Sequence, residues 1–177
     1  MRQKSGNILK LTAQDHFDDF TCGQPELDLY LKRYALMNQQ SGGAATYVLK
    51  EGAAAVGYYS LAVGSVEHKS APSRIVKGLA KHPIPVMLLA RLAVAGKFQR
   101  QGWGKVLLKD ALIRTTQAGD IAGIRALLVH AQNDEARNWY LAQGLYPSPT
   151  DPLHLFVLLK DVAAWLAWPA IHNATKP

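Results

Sequence analysis

The 177-residue sequence predicts a single α/β domain, residues 1–177, with helices flanking a mixed central β-sheet, and three features carry that prediction. Two β-rich runs, Ala45 to Lys50 and Ala55 to Val66, meet at Glu51-Gly52, which reads as a hairpin turn between antiparallel strands. Val86 to Val94, Gly104 to Ala118 and Ile124 to His130 then read as strand, helix and strand, an order that implies parallel neighbours joined by a right-handed crossover. Finally, 49% hydrophobic and 19% charged residues make a globular composition, and no repeat or low-complexity tract divides the chain.

Ile8 to Leu11 reads as a short first strand, followed by a polar loop to Gly23. Pro25 suits the first turn of a helix, with Glu26 and Asp28 at its positive end. That helix runs to about Met37, because Leu27, Tyr30, Leu31 and Tyr34 recur at helical spacing, and Gln39 to Gly43 breaks it. After the hairpin, Glu67 to Pro83 is a basic connection holding Pro72, Gly78 and Pro83, with one short helix around Ser73 to Ala80. The central helix buries Val106, Leu107, Ala111 and Leu112. Asn133 to Gln143 is a further helix, ended by Gly144 at the left-handed position. Leu153 to Leu159 is the last strand, and Asp161 is placed to cap a final helix through Ala167. Trp165, Leu166 and Trp168 pack that helix or serve a dimer contact.

The formal charge is +7, unevenly spread. Ten Lys or Arg residues lie between Lys69 and Arg114 against one acid, Asp110, whereas Asp15 to Leu31 is acidic. A basic face of that kind either meets a polyanion or is a solvated surface. The longest strongly apolar stretch, Ile84 to Val94, holds Pro85 and Arg91 and falls far short of the roughly 20 residues of a membrane helix. Met1 to Gly6 has basic residues without an apolar run behind them, so no secretory signal is predicted and the cytoplasm is the expected compartment. Cys22, the only cysteine, reads as a small packing residue. His16, His82, His130, His154 and His172 lack ligand spacing, so no metal is expected.

The most informative stretch is Phe98-Gln99-Arg100-Gln101-Gly102-Trp103-Gly104-Lys105, which follows a strand and opens a helix. Gly102 and Gly104 let the backbone approach a ligand, and free N–H groups at a helix start bind anions. Neither GxxxxGK[ST] nor GxGxxG is present. The loop, Gln-x-x-Gly-x-Gly, resembles the pyrophosphate loop of the GNAT acetyltransferases, [Arg/Gln]-x-x-Gly-x-[Gly/Ala]. A second stretch, Asn133-Asp134-Glu135-Ala136-Arg137-Asn138-Trp139-Tyr140-Leu141-Ala142-Gln143-Gly144-Leu145, is similar to the family's Asn-x-x-Ala-x-x-Phe-Tyr-x-x-x-Gly-Phe, with Trp139 and Leu145 in place of phenylalanines.

A narrower resemblance spans nearly the whole chain. Phe20 to Leu31, Gly57-Tyr58-Tyr59-Ser60-Leu61 and Leu89-Ala90-Arg91-Leu92-Ala93-Val94 look like the GNAT toxins of bacterial toxin–antitoxin pairs, the TacT and AtaT type. The resemblance implies a GNAT fold and an acetyl-CoA-dependent N-acetyltransferase that acts on the amine of aminoacyl-tRNA, blocks translation, forms a homodimer and is neutralised by a ribbon-helix-helix antitoxin. It implies that Gln99, Arg100, Gln101, Gly102, Trp103, Gly104 and Lys105 hold the cofactor with Asn133 and Ala136. It also implies that backbone N–H groups of Leu92, Ala93 and Val94 hold the thioester carbonyl, and that Tyr140 is the catalytic acid. Standing alone, Tyr140 would be an amphipathic-helix tyrosine covering the core.

Transfer from a thioester needs a neutral amine, a polarised carbonyl and a proton for the departing thiolate. Many lysine-directed relatives carry a glutamate base on the strand that is Leu88 to Val94 here, and this chain has none. An ε-amine near pKa ~10.4 is protonated at neutral pH, whereas an α-amine near ~7.7–8.0 is partly neutral, so the site suits an α-amine. Glu67 and His68 remain candidates for a base acting through water. Lys32, Arg33, Arg74, Lys77 and Arg91 are the best candidates to grip tRNA phosphates. Two other readings share these motifs: a housekeeping GNAT acetylating a small amine or a protein N-terminus, and a non-catalytic RNA-binding or CoA-sensing module.

Overall fold

The computed structural model describes residues 6–167. The expectations attached to Met1–Ser5, Trp168 and His172 lie outside the described residues, as does the side chain of Trp165. Seven strands form one mixed sheet, β1 (Ile8–Lys10), β2 (Ala45–Glu51), β3 (Ala54–Val66), β4 (Ile84–Val94), β5 (Ala126–His130), β6 (Tyr146–Pro147) and β7 (His154–Leu158), ordered β1-β2-β3-β4-β5-β7-β6. The flanking helices are α1 (Pro25–Leu29), α2 (Ala35–Gln40), α3 (Ser73–Val76), α4 (Trp103–Ile121), α5 (Asp134–Ala142) and α6 (Leu159–Ala167). This is the α/β class the sequence predicts. Among the described residues no helix is long and apolar enough to cross a membrane. The chain divides into two compact units, the segment up to Val63 with Leu88–Ala111, and Gly64–Met87 with the segment from Leu112.

In the first unit, β2 runs antiparallel to β1 and β3, with Ile8 opposite Leu49 and Tyr47 opposite Tyr59. Gly52, at φ 62°, makes the expected turn between β2 and β3. Tyr58 and Tyr59 are both fully buried. Successive strand residues point to opposite faces, so β3 is covered on both. The rings of Phe20 and Tyr30 meet Tyr58 at 5.6 and 6.3 Å, and Tyr59 stacks on Tyr47 at 5.2 Å.

A Cβ on Gly57 would lie 2.7 Å from the Ala93 carbonyl oxygen and 2.8 Å from Leu107 Cδ1, so only glycine lets β3 lie this close to the end of β4. Gly57→Ala is expected to cost about 1–3 kcal/mol of stability, the usual scale of overpacking. Chemical denaturation measures it, and an unchanged midpoint would show that the two backbones separate freely.

The first helix differs from its sequence expectation. Between α1 and α2, Tyr30–Tyr34 forms a π-helical turn, which moves the apolar stripe on by one residue. Tyr34, expected on the buried face, is therefore 47% exposed, and Ala35 at 0% takes the inward place. The helix also runs past Met37 to Gln40. Gln39 explains the extension, because its amide donates to the Leu11 carbonyl (2.8 Å) and accepts from the Thr46 N–H (3.0 Å).

In the second unit β7 is antiparallel to both β5 and β6. Helix α3 stops at Val76, short of the expected Ala80. Gly78 turns the chain at φ 81°, and Arg125 donates from Nε to the Ile75 carbonyl and from Nη2 to the Lys77 carbonyl, each at 2.9 Å. Carbonyls at a helix end need such partners. Asp161 is not the cap of the last helix, which already begins at Leu159. Its Oδ2 instead accepts from Arg74 Nε and Nη2, both at 2.7 Å.

Candidate active site

In the first unit β4 ends at Val94, a 3-10 turn covers Gly96–Phe98, and α4 starts at Trp103. Two left-handed residues lie between, Arg100 at φ 59° and Gly102 at φ 88°. Such a pair bends the backbone into the concave form whose N–H groups bind anions, and the first N–H groups of α4 add the positive end of a 19-residue helix. A Cβ built on Gly102 meets no atom within 4 Å, so the space beside it is open. Arg100, Gln101 and Lys105 are exposed there, while Trp103 and Gly104 are half-buried. A pyrophosphate fits this cradle in charge and in room.

Gln99 heads the loop, and its side chain faces the protein. Nε2 donates to the carbonyls of Cys22 (2.8 Å) and Val94 (2.9 Å). Both amide hydrogens are thus engaged with backbone, and the side chain shapes the loop. Gln101 Nε2 donates to the Lys97 carbonyl at 3.0 Å. Leu92 and Val94 are half-buried, and Ala93 is buried with its carbonyl toward Gly57.

In the second unit Asn133 caps α5, its Oδ1 accepting from the Ala136 N–H at 2.9 Å. Asn133 and Ala136 are thereby brought together as the two ends of one cap, which fixes the helix that carries Tyr140. Gly144, at φ 93°, ends the turn as expected, and the Leu145 N–H reaches back to the Tyr140 carbonyl at 3.3 Å. Tyr140 is 8% exposed, with its ring edge-on to Trp139 at 4.9 Å. Burial pushes its hydroxyl well above the ordinary tyrosine value. Across physiological pH the hydroxyl stays protonated.

The five candidate cations differ in how they are held. Lys32 and Arg33 are exposed on the π turn. Arg91 lies with its guanidinium 3.7 Å from the centre of the Tyr30 ring, a cation–π contact within the same unit. Lys77 is exposed just after α3. Arg74 is tied to Asp161 and is not a free phosphate ligand. Glu67 pairs with Lys69 at 3.0 Å, and His68 is half-buried beside it. Burial, and next the Asp28 carboxylate, push the Cys22 thiol up to about 11, so it is no thiolate at neutral pH. Among the described residues no group of three His, Cys, Asp or Glu side chains is placed to hold a metal. Sequence reasoning missed the Arg125 brace, the Arg74–Asp161 pair and the Gln99 tie.

An anion cradle at a helix start suits a ligand that carries a phosphate tail. The chain belongs to the acetyltransferase (GNAT) family, whose model matches residues 9–145. It is 46% identical over 155 residues to the tRNA-acetylating toxin of Mycobacterium tuberculosis, covering 88% of this chain and 93% of the relative. The structure of AtaT complexed with acetyl-methionyl-tRNAfMet superposes with a TM-score of 0.83 at 27% identity, covering 92% of this chain and 99% of that one. A mutant AtaT toxin bound to the C-terminus of the antitoxin AtaR and to acetyl-CoA gives 0.78 at 25% identity, covering 93% and 99%.

Proposed function

We propose that this chain is the toxin of a toxin–antitoxin pair, an N-acetyltransferase that moves an acetyl group from acetyl-CoA to the amine of aminoacyl-tRNA and so blocks translation. The observation that carries this reading is the 46% identity, over 88% of the chain, to a tRNA-acetylating toxin. The likeness to AtaT with acetyl-methionyl-tRNAfMet supports the same substrate class. Charged tRNA as substrate makes the cytoplasm the place of action. The AtaT complex with the C-terminus of AtaR supports neutralisation by an antitoxin. The resemblance set out above supports a ribbon-helix-helix antitoxin and a homodimer.

When bound, acetyl-CoA supplies an activated acetyl thioester. The backbone of Gln101 to Lys105 holds the pyrophosphate, in a loop that Gln99 shapes and Arg100 bends. Backbone N–H groups of Leu92, Ala93 and Val94 hold the carbonyl oxygen, and the Asn133–Ala136 cap orients α5. The amine attacks in its neutral form, which an α-amine near pKa ~7.7–8.0 supplies without a glutamate on β4. Tyr140 gives its hydroxyl proton to the departing sulfur and is restored by the proton the amine sheds. Lys32, Arg33, Lys77 and Arg91 grip the acceptor arm, with Arg74 set back by its pairing to Asp161.

The test is to incubate the protein with labelled acetyl-CoA and total charged tRNA. Label on the aminoacyl amine supports the reading, and label on free amines or protein N-termini alone replaces it with a housekeeping role. Reversing charge at Lys32 and Arg33 should weaken binding and flatten its salt dependence by about 0.7–0.9 log units per log unit of salt for each contact. Unchanged slopes would move the RNA face elsewhere. Arg74 is a poorer probe, because a glutamate there would face Asp161.

A further inference from the structure

The first unit holds a set of hydrogen bonds that the chemistry above does not use. Gln99 Nε2 donates to the carbonyls of Cys22 and Val94 at 2.8 and 2.9 Å. Three residues earlier, the Gly96 N–H donates to the Thr21 carbonyl at 2.8 Å. From the other side, Asp28 in α1 accepts from the Cys22 N–H through Oδ1 at 2.8 Å and from Thr21 Oγ1 through Oδ2 at 3.2 Å. The dipeptide Thr21-Cys22 is therefore gripped twice, by the cofactor loop through its carbonyls and by α1 through its donors.

This grip matters because of what α1 leads to. The element has only five residues before the π turn that displays Lys32 and Arg33. α1, the π turn and α2 follow one another without a break from Pro25 to Gln40, so fixing the entry of α1 fixes the direction of the whole run. That entry is fixed by Thr21-Cys22, and the first turn of α1 is held again where Tyr58 Oη donates to the Leu27 carbonyl at 2.7 Å. Tyr30 of the π turn is held as well, its Oη accepting from Asn38 Nδ2 of α2 at 3.1 Å and its ring lying under Arg91 of β4. The same strand end that carries Ala93 and Val94 thus sets, through Gln99 and Asp28, where the exposed cations stand.

We infer that Gln99 and Asp28 form a clamp that positions the acceptor-binding cations Lys32 and Arg33 relative to the end of β4, so that both are positioning residues for the acceptor substrate. The inference rests on the reading that those cations meet the phosphates of charged tRNA. Gln99, which shapes the cofactor loop, then acts on the second substrate as well.

The experiment compares Gln99→Glu and Asp28→Ala with the wild-type chain. Glutamate at 99 sets a carboxylate against two carbonyl oxygens, and alanine at 28 removes both acceptors. Each is expected to raise KM for charged tRNA about tenfold, the scale of one lost hydrogen-bonded tie, while in Asp28→Ala, which leaves the Gln99 side chain in place, Kd for acetyl-CoA by calorimetry shifts less than that KM. The double variant should add little to either single one, because one clamp is broken in both. Gln99→Arg, which keeps N–H donors, and Asp28→Asn, which keeps one acceptor oxygen, should recover most of the loss, and they carry the test if the harsher variants fail to fold. The clamp is overturned if folded variants keep the wild-type KM for charged tRNA, or if Asp28→Ala weakens acetyl-CoA as much as tRNA. Wild-type protein that leaves charged tRNA unmodified overturns the proposed function instead, a result separate from either.

Discussion

Replacing Tyr140 by phenylalanine is expected to lower kcat by about two orders of magnitude, the low end of what a positioned general acid contributes. Only the hydroxyl is removed. The ring keeps its edge-on contact with Trp139, and the Asn133–Ala136 cap and the Gly144 turn hold α5 without it. Fold and acetyl-CoA affinity should therefore stay. Burial raises the hydroxyl above its ordinary value, which makes it a weaker acid and leaves it fully protonated at working pH. The proposed proton transfer requires that the amine shed a proton in the same event.

The pH dependence follows with its sign. Activity should rise through the α-amine range near pH ~7.7–8.0, as the neutral nucleophile forms, and Tyr140 should impose no falling limb below about pH 10. A group whose folded pKa lies above its unfolded value adds stability below the unfolded value and loses it as pH climbs. Wild type should thus lose more stability than Tyr140→Phe above about pH 10. Single-turnover rates across pH check the first point, and a variant as fast as its parent would make Tyr140 purely a packing residue.

What the sequence made legible had local chemistry behind it. Glu51-Gly52 named the first hairpin because a left-handed glycine is needed there, and Gly144 marked the end of α5 for the same reason. The stretch Gln99 to Lys105 stands out because two glycines follow a strand and open a helix. The π turn gave no such signal, since Tyr30–Tyr34 contains nothing that distinguishes it from an ordinary helix, and the register of Tyr34 was lost with it. β6 spans two residues, too few to show a period. Asp161 looked like a cap because aspartate favours that place, yet its partner Arg74 lies 87 residues away and no local pattern reveals it. Gln99 was placed by a motif, and a motif records residue type and not that the side chain binds the carbonyls of Cys22 and Val94.

Gly102→Val should reduce acetyl-CoA affinity by at least about 100-fold, or ~3 kcal/mol, with a much smaller loss of stability. Two roles of glycine are separated in this chain. At Gly57 a Cβ would strike the Ala93 carbonyl, so the cost falls on the fold. At Gly102 a Cβ meets nothing in the protein, and the only intrinsic cost is the left-handed φ of 88°, about 1–3 kcal/mol for a residue with a side chain. The open space is where the backbone N–H groups of the helix start would meet a pyrophosphate, and a branched side chain there displaces it. Gly102→Ala separates the two effects, because it carries the same φ penalty with a single methyl group. Calorimetry should show alanine losing less affinity than valine while the two melt at similar temperatures. Equal affinities in glycine, alanine and valine forms would place the pyrophosphate elsewhere, and equal losses in both variants would trace the effect to loop strain.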